Sequence, residues 1–421
     1  MNEEQPVFTG RDIYESFAME LQQWSRTGKA PYQADQDLAW VLENQYARLR
    51  SRGLELEYDI VPRGHFVNGH GVRRDWKDGH YITTMDCRSC SFSRTMLRRG
   101  KKAFKRQKNT LMYQYITDVY NVYAARQDIH ICPNCGAPST LAGLMDGCDY
   151  CGTRFDMPDL YPKVGNYYHI EDAGMTQGEV KGEVGKTMLK TGLIATLVFV
   201  AINLFGNQDG VSIVRSVLNS LIPGAAFGVI GGYILWAVGK VAKVFKEAGK
   251  AIPLLARMGN SEKRFESQMQ MYSPEFSYHY FVDKAVNLLK TVLFSQDPRR
   301  LPFYQGQGDE TFLDIVDSQF TGATALRDFR VVDGICYVTV DVCLDDLRDT
   351  GSRVREKRDW FRMEMYRDVS KPIDLHFSIH NIQCAGCGGS FDAVRHRTCP
   401  HCGRPYELQD LDWMVLSVQK Q

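Results

Sequence analysis

The segment VLNSLIPGAAFGVIGGYILWAV, residues Val217–Val238, decides the architecture of this chain, because its 22 residues include no charged side chain. An α-helix needs about 20 apolar residues to cross a bilayer. A second apolar segment, MLKTGLIATLVFVAINLFG (Met188–Gly206), precedes it and carries one charge, Lys190, near its end. We therefore predict two transmembrane helices within residues 188–240. The alternative is a helical hairpin buried in a soluble core.

Positive charges flank this pair of segments on both outer sides, whereas the loop between them, residues 207–216, carries only Asp209 and Arg215. The flanking lysines are Lys181, Lys186, Lys190, Lys240, Lys243, Lys246 and Lys250. Because the cytoplasmic flanks of membrane helices are enriched in lysine and arginine, we predict a multi-pass protein of the cell membrane. Both termini and both soluble domains are then expected in the cytoplasm.

Three glycines of the second segment, Gly224, Gly228 and Gly232, recur every four residues and therefore share one helix face. Small residues in such a stripe let two membrane helices approach closely. The stripe fits either closure of the hairpin or a homodimer, and the sequence leaves both open.

Ten of the twelve cysteines form Cys-x-x-Cys pairs, which are typical of metal sites in a reducing compartment. Two pairs on each side of the apolar segments have the spacing of a zinc ribbon. We predict two structural Zn²⁺ ions, each held by four thiolates with no open position. The ligands are Cys132, Cys135, Cys148 and Cys151 in ribbon 1, and Cys384, Cys387, Cys399 and Cys402 in ribbon 2. A glycine after the second cysteine of all four pairs predicts a tight turn, and His401 is interpreted as a surface residue.

The composition bounds the class of protein. The 421 residues carry 51 basic and 50 acidic side chains, with 44% hydrophobic residues and a mean hydropathy of −0.33. This balance predicts two or three folded domains and excludes a disordered chain, a polytopic transporter and a histone-like protein.

Each side of the apolar segments shows helices, then strands, then a ribbon, which predicts an α+β fold in both halves. In the first half, helical spacing covers Arg11–Arg26 and Asp37–Arg50, and alternation within Leu54–Ile60 predicts a strand. In the second half, we predict a helix opening at Ser273–Glu275, a shorter helix over Glu310–Phe320 and a strand through Leu375–Ile379.

The two halves also align with each other. Matching Tyr81-Ile82-Thr83 to Tyr337-Val338-Thr339 places Cys87 opposite Cys343 without a gap. We interpret this shared position as sheet packing and not as redox chemistry. The sequence assigns no role to Cys87, Cys90, Cys336 and Cys343.

The second half, Glu275–Asn381, resembles the Tim-forty-four-like domain, in which helices precede a curved antiparallel sheet of the nuclear-transport-factor-two-like kind. Bacterial proteins of that group often end in a zinc ribbon and a Trp-Val-Leu-Ser stretch, which is similar to Trp413-Met414-Val415-Leu416-Ser417. The first half resembles a degenerate copy. The resemblance implies a membrane-proximal binding module and carries over no catalytic residue.

The predicted organisation has seven parts. They are a first α+β domain (1–131), zinc ribbon 1 (132–160), a linker (161–187), two transmembrane helices (188–240), a basic linker or helix (241–272), a second α+β domain (273–383), and zinc ribbon 2 with the tail (384–421).

A basic segment in the first half has eight positive charges and no acid, and we expect it at the tip of a long hairpin. Its members are Arg94, Arg98, Arg99, Lys101, Lys102, Lys105, Arg106 and Lys108. Three interpretations stay open: a solvated loop, a contact with anionic lipid, and a nucleic-acid contact. The last is weakened because Phe104 is the only aromatic residue among them.

The function predicted from these features is a membrane-anchored, non-enzymatic scaffold that docks a protein, peptide or lipid partner. The alternatives are a nucleic-acid-binding zinc-ribbon protein and an enzyme that uses the α+β pocket. A group of histidines and aspartates is interpreted as a polar loop and not as a catalytic site: His65, His70, His80, Asp75 and Asp78. No phosphate-binding loop, dinucleotide fingerprint or nucleophile elbow is present in the sequence.

Overall fold

The computed structural model of the chain describes residues 10–63, 74–78, 80–172, 177–206, 213–274, 276–309, 312–371, 381–384, 386–392, 396, 398–405 and 412–421. The chain divides into two compact units. The body comprises Met1–Pro62, Gly71–Asp172 and Met258–Gln421, and the helical unit comprises Arg63–His70 and Ala173–Arg257. Both predicted α+β domains therefore lie in one unit.

The first half of the body contains two long helices, a sheet and ribbon 1. Its elements are α1 (Gly10–Thr27), α2 (Gln36–Ser51), β1 (Leu54–Pro62), β2 (Arg74–Asp78), β3 (Tyr81–Arg98), β4 (Lys101–Val119), α3 (Val122–Ala125), β5 (Ile129–Ile131), β6 (Pro138–Thr140), α4 (Leu141–Asp146), α5 (Met157–Leu160) and β7 (Lys163–Glu171). The helices confirm the two predicted from periodicity. Asp35 caps α2, because its carboxylate accepts a hydrogen bond of 2.7 Å from the Leu38 amide.

The strands of the first half form an antiparallel sheet in the order β1-β3-β4-β7, and β2 also pairs with β3. The apolar residues of Leu54–Ile60 are buried at alternate positions, as the pattern predicted. The linker assigned to residues 161–187 is wrong for Lys163–Glu171, because β7 pairs with β4 and completes the sheet.

The helical unit contains α6 (Gln177–Gly206) and most of α7 (Ile213–Met269). The two helices pack closely along the glycine stripe. A Cβ atom on Gly228 would lie 2.6 Å from the Cα atom of Gly192, and one on Gly232 would lie 2.5 Å from the Cα atom of Met188. Within this chain, the stripe therefore faces α6.

Outside the stripe, most of the surface of the two apolar segments is exposed. In the most apolar window within Val180–Asn203 no residue is buried, and within Val217–Gly239 the buried share is 17%. Leu189 and Ile222 are 71% and 82% exposed. The alternative of a hairpin buried in a soluble core is therefore not observed.

The second half of the body begins with the end of α7 and continues with a helix, a four-stranded sheet and ribbon 2. Its further elements are α8 (Tyr278–Phe294), β8 (Ile315–Val332), β9 (Ile335–Asp349), β10 (Val354–Asp368), β11 (Asn381–Gln383), β12 (Ser390–Asp392) and β13 (Met414–Lys420). The predicted helix over Glu310–Phe320 is wrong, because β8 begins at Ile315. The predicted helix at Ser273 begins later, at Tyr278. The strand predicted at Leu375–Ile379 lies outside the described residues.

The two sheets share one strand order, which agrees with the predicted internal repeat. The second sheet has the order β8-β9-β10-β13. In both halves, the ribbon is therefore inserted along the chain between the third and fourth strands of the sheet. A parallel bridge joins Ala34 to Val164 in the first half, and an equivalent one joins Tyr304 to Val415 in the second.

Each sheet contains a bulge, and superimposing the two bulges shifts the sequence-based alignment of the two halves by two residues. The bulges precede Ile116 in β4 and Met365 in β10, and these residues pair with Thr84 and Val338. Thr84, and not Ile82, is therefore the equivalent of Val338. Cys87 then corresponds to Asp341 and not to Cys343. Cys87, Cys90, Cys336 and Cys343 are all buried within strands, which favours a packing role.

The two halves pack directly on each other through α2. Arg48 of α2 donates hydrogen bonds to the backbone carbonyls of Ser295, at 2.6 Å, and Phe312, at 3.0 Å. These carbonyls belong to the end of α8 and to the turn before β8. A buried arginine that donates hydrogen bonds to several backbone carbonyls of the second half holds α2 in one position against that half.

Candidate metal centres

Each ribbon is built from two short turns with one backbone pattern. In every turn, the amide of the glycine after the second cysteine donates to the carbonyl of the first cysteine, over 2.7–2.9 Å. These glycines are Gly136, Gly152, Gly388 and Gly403, and their φ angles lie between 71° and 74°. Residues other than glycine adopt this conformation at a cost, so the predicted tight turn is confirmed.

The four sulfur atoms of each ribbon all lie within 4.8 Å of one another, close enough to share one metal ion. In ribbon 1 the Sγ atoms of Cys132 and Cys151 are 3.8 Å apart, as are those of Cys135 and Cys148. In ribbon 2 the corresponding distances are 3.6 Å. Zinc–sulfur bonds of about 2.3 Å place tetrahedral sulfur atoms about 3.8 Å apart, whereas a disulfide needs about 2 Å. The donor set therefore fits two Zn²⁺ ions, one in each ribbon.

Local hydrogen bonds stabilise one thiolate in each cluster. The Thr153 hydroxyl lies 3.3 Å from the Cys151 sulfur, and this residue lowers the pKa of Cys151 to about 6. In ribbon 2, the amides of Cys387 and Gly386 lower the pKa of Cys384 to about 6. Hydrogen bonds to a thiolate favour its charged form, which is the form that binds metal.

The body holds each ribbon through one cysteine of each pair. Cys132 and Cys148 are buried with Leu141 and Leu144 of α4, in a cluster that also includes Tyr81 of β3. Cys384 and Cys399 join the main core of the second half. Cys135, Cys151, Cys387 and Cys402 lie at the exposed edge.

Both clusters are complete without further ligands. Each set consists of four cysteines among the described residues, and four thiolates leave no coordination position for water or substrate. His401 lies over the backbone of Gly389 and is not part of the cluster. A Zn²⁺ ion bound in such a closed site has no free position for a substrate or a catalytic water. Its binding would stabilise the folded ribbon.

The basic segment is divided between two environments. It lies in β3, β4 and the turn between them, which confirms the predicted hairpin tip. Arg94 is 6% exposed and pairs with Asp317 and Glu356 of the second half, so it is not available to an external ligand. Arg98, Arg106 and Lys108 also pair with acids of the second half. Arg99, Lys101, Lys102 and Lys105 are exposed.

The structure describes only part of the group of histidines and aspartates that was interpreted as a polar loop. His65 and His70 lie outside the described residues, and the structure does not describe the side chains of Asp75 and Asp78. His80 Nδ1 lies 2.9 Å from Asp128 Oδ2, beside ribbon 1.

A buried polar network at the contact between the halves was not predicted from the sequence. Asp317 is its centre and is fully buried. Its carboxylate accepts hydrogen bonds from Tyr58, at 2.6 Å, and Gln45, at 2.9 Å, and it pairs with Arg94 at 3.0 Å. These residues come from four separate segments, and no sequence spacing links them.

Comparisons with known proteins add no assignment. No protein-family model, no curated protein and no solved structure matches this chain.

Proposed function

We propose that this protein is a membrane-anchored, non-enzymatic zinc-ribbon scaffold that docks a protein, peptide or lipid partner at the cytoplasmic face of the cell membrane. The observation that carries the proposal is the exposed apolar surface of α6 and α7. Two long helices with almost no buried residue in their apolar windows need a non-aqueous environment.

The connectivity supports a pair of membrane spans. The chain leaves the body after β7, and it returns to the body with the end of α7, where Phe265 is fully buried. An even number of spans brings a chain back to the side from which it left. The lysines on both outer flanks favour the cytoplasm as that side.

The glycine stripe supports closure of the hairpin more directly than a homodimer. Gly224, Gly228 and Gly232 approach Thr196, Gly192 and Met188 of the same chain. Asn203 also donates a hydrogen bond of 3.1 Å to the buried Ser220, which joins the two helices by a polar contact. A homodimer through this stripe would have to displace α6.

The body supports the docking role because both halves belong to one compact unit. A buried polar network centred on Asp317 joins the two halves, and each half carries its own four-cysteine cluster. The resemblance to Tim-forty-four-like domains points in the same direction, since helices precede an antiparallel sheet in both halves.

The proposal is tested by crosslinking the full chain in intact membranes and purifying it with its neighbours. A variant that lacks one exposed ligand of each ribbon, C135S/C387S, serves as the comparison. We expect a recurrent protein or peptide partner with the native chain and much less of it with the variant. Recovery of nucleic acid alone, or turnover of a small molecule by the purified chain, would overturn the scaffold proposal.

A further inference from the structure

The tips of two hairpins lie side by side in the body. The first turn is Arg99–Gly100, between β3 and β4, and the second is formed by residues 350–353, between β9 and β10. Just before the turns, Arg98 pairs with Asp349. Just after them, Arg106 pairs with Glu356. These two ion pairs join the hairpins on both sides of their turns.

The same contacts decide which cations are neutralised. Arg94, Arg98, Arg106 and Lys108 are each paired with a carboxylate of the second half, and Lys108 Nζ lies 3.3 Å from Asp345 Oδ2. These four side chains therefore belong to the contact between the halves.

Six further cations lie at the two tips and form no ion pair with a described residue. Four come from the first hairpin and two from the second, and all six are exposed: Arg99, Lys101, Lys102, Lys105, Arg353 and Arg355. We call them the basic tip. The sequence separates its two parts by about 250 residues, and only the pairing of the hairpins brings them together.

We propose that the basic tip binds the headgroups of anionic phospholipids. The inference rests on the proposed membrane anchor, which would keep the tip at a high local concentration of lipid. Each cation near an anionic surface gains attraction from the surface potential without a shaped pocket. Six exposed positive charges at the ends of two neighbouring hairpins match such a surface.

The alternative ligand of a basic hairpin is single-stranded nucleic acid, which the contacts of Phe104 disfavour. Non-specific binding of single strands combines phosphate contacts with bases stacked on exposed aromatic rings. Phe104 is the only aromatic residue of the first tip, and it is half-buried against the core of the first half. Residues 350–357 of the second tip contain no aromatic residue.

The test uses the full zinc-loaded chain in nanodiscs made of phosphatidylcholine alone or with about 30% phosphatidylserine. Limited trypsin digestion, read by peptide mass spectrometry, reports the exposure of Arg99 and Lys105. Four other tip cations are removed in the variant K101Q/K102Q/R353Q/R355Q. The matched control removes four exposed cations elsewhere in the body: R26Q/K29Q/R50Q/K371Q.

We expect cleavage after Arg99 and Lys105 to be about tenfold slower in the anionic discs than in the neutral ones, and salt at about 0.5 M to abolish the difference. The tip variant should lose most of this protection and the control variant should keep it. Equal cleavage in both kinds of disc overturns the proposal. Protection by a single-stranded oligonucleotide in neutral discs, without protection by anionic lipid, overturns it in favour of nucleic acid.

The same experiment distinguishes a failure of the proposed membrane anchor from a failure of the lipid-binding proposal. A chain that does not co-elute with discs of either composition contradicts the anchor. Flotation of the same protein with vesicles that contain phosphatidylserine then decides the lipid proposal, since binding supports it and absence of binding overturns it.

Discussion

The guanidinium of Arg94 lies 3.0 Å from the carboxylate of Asp317, and this pair joins the first half of the chain to the second. Arg94 is 6% exposed and Asp317 is fully buried. Tyr58 and Gln45 complete the hydrogen bonding of Asp317. The body is therefore one compact unit whose halves are joined by a buried charge pair.

Removing the arginine should strongly destabilise the body. In R94Q, the Asp317 carboxylate stays buried without its charge partner, which costs about 3–5 kcal/mol. Chemical unfolding of the full chain in detergent, followed by tryptophan fluorescence, measures this change. K101Q removes an exposed charge from the same hairpin and should change stability by less than about 0.5 kcal/mol.

A second substitution separates the ion pair from general damage. The double variant R94Q/D317N should be less destabilised than the sum of its single variants, because neither buried charge remains. Simple additivity would show that the pair makes no specific contribution.

Removing one exposed ligand should cost one metal ion. We expect C135S to bind one zinc per chain instead of two, because three thiolates and a hydroxyl no longer form a closed site. Elemental analysis of the purified chain gives the count. C336S replaces a buried cysteine outside both clusters and should keep both ions; two zinc ions in C135S would argue against the assignment of ribbon 1.

The close approach of α6 and α7 predicts a sharp difference between two glycines of α7. G228L places a side chain against the backbone of Gly192 and should lower helix stability by about 1–3 kcal/mol or more. A Cβ atom on Gly239 would meet no neighbouring atom within 4 Å, so G239L should be nearly neutral. Thermal unfolding in detergent, read by circular dichroism, compares them.

The variants G228L and G239L also test whether the glycine stripe mediates a homodimer. If the stripe closes the hairpin, crosslinking in membranes should show no loss of dimer that is specific to G228L. A dimer that G228L abolishes and G239L preserves would assign the stripe to association between chains.

The stability of the body should depend on pH through Asp283. Burial raises the pKa of Asp283 to about 7, and its carboxylate accepts a hydrogen bond of 2.6 Å from Asn166 of the first half. The neutral form is favoured in the folded state, so this contribution is complete below pH 4 and is lost as the pH rises through 7. D283N should therefore gain stability relative to the native chain between pH 4.5 and pH 8.

Urea unfolding at both pH values measures this difference, and the titration of groups that do not interact with Asp283 cancels in the comparison. D333N provides a control, since Asp333 is exposed in the turn between β8 and β9. A constant difference between D283N and the native chain at both pH values would show that Asp283 titrates normally.

Local patterns were enough to predict the parts of the fold that local chemistry decides. Each turn of the ribbons is complete within about six residues, so the cysteine spacing and Gly136 already specify it. The alternation in β1 and the periodicity of α1 and α2 likewise reflect burial of one face.

The sequence-based predictions were wrong where contacts between residues far apart in the sequence decide the structure. Lys163–Glu171 is a strand because β4 offers it an unpaired edge, and this edge is not visible in the local sequence. The residues around Ile315 have helical spacing, yet they pair with β9. Arg94 belongs to a basic run in the sequence, but the acids that neutralise it come from the other half.

Alkaline carbonate extraction of membranes from cells that produce the full chain tests the central claim most directly. If α6 and α7 cross the bilayer as proposed, the protein should stay in the membrane pellet and be released only by detergent. Quantitative release of the folded chain into the carbonate supernatant would contradict the anchor on which the proposed function depends.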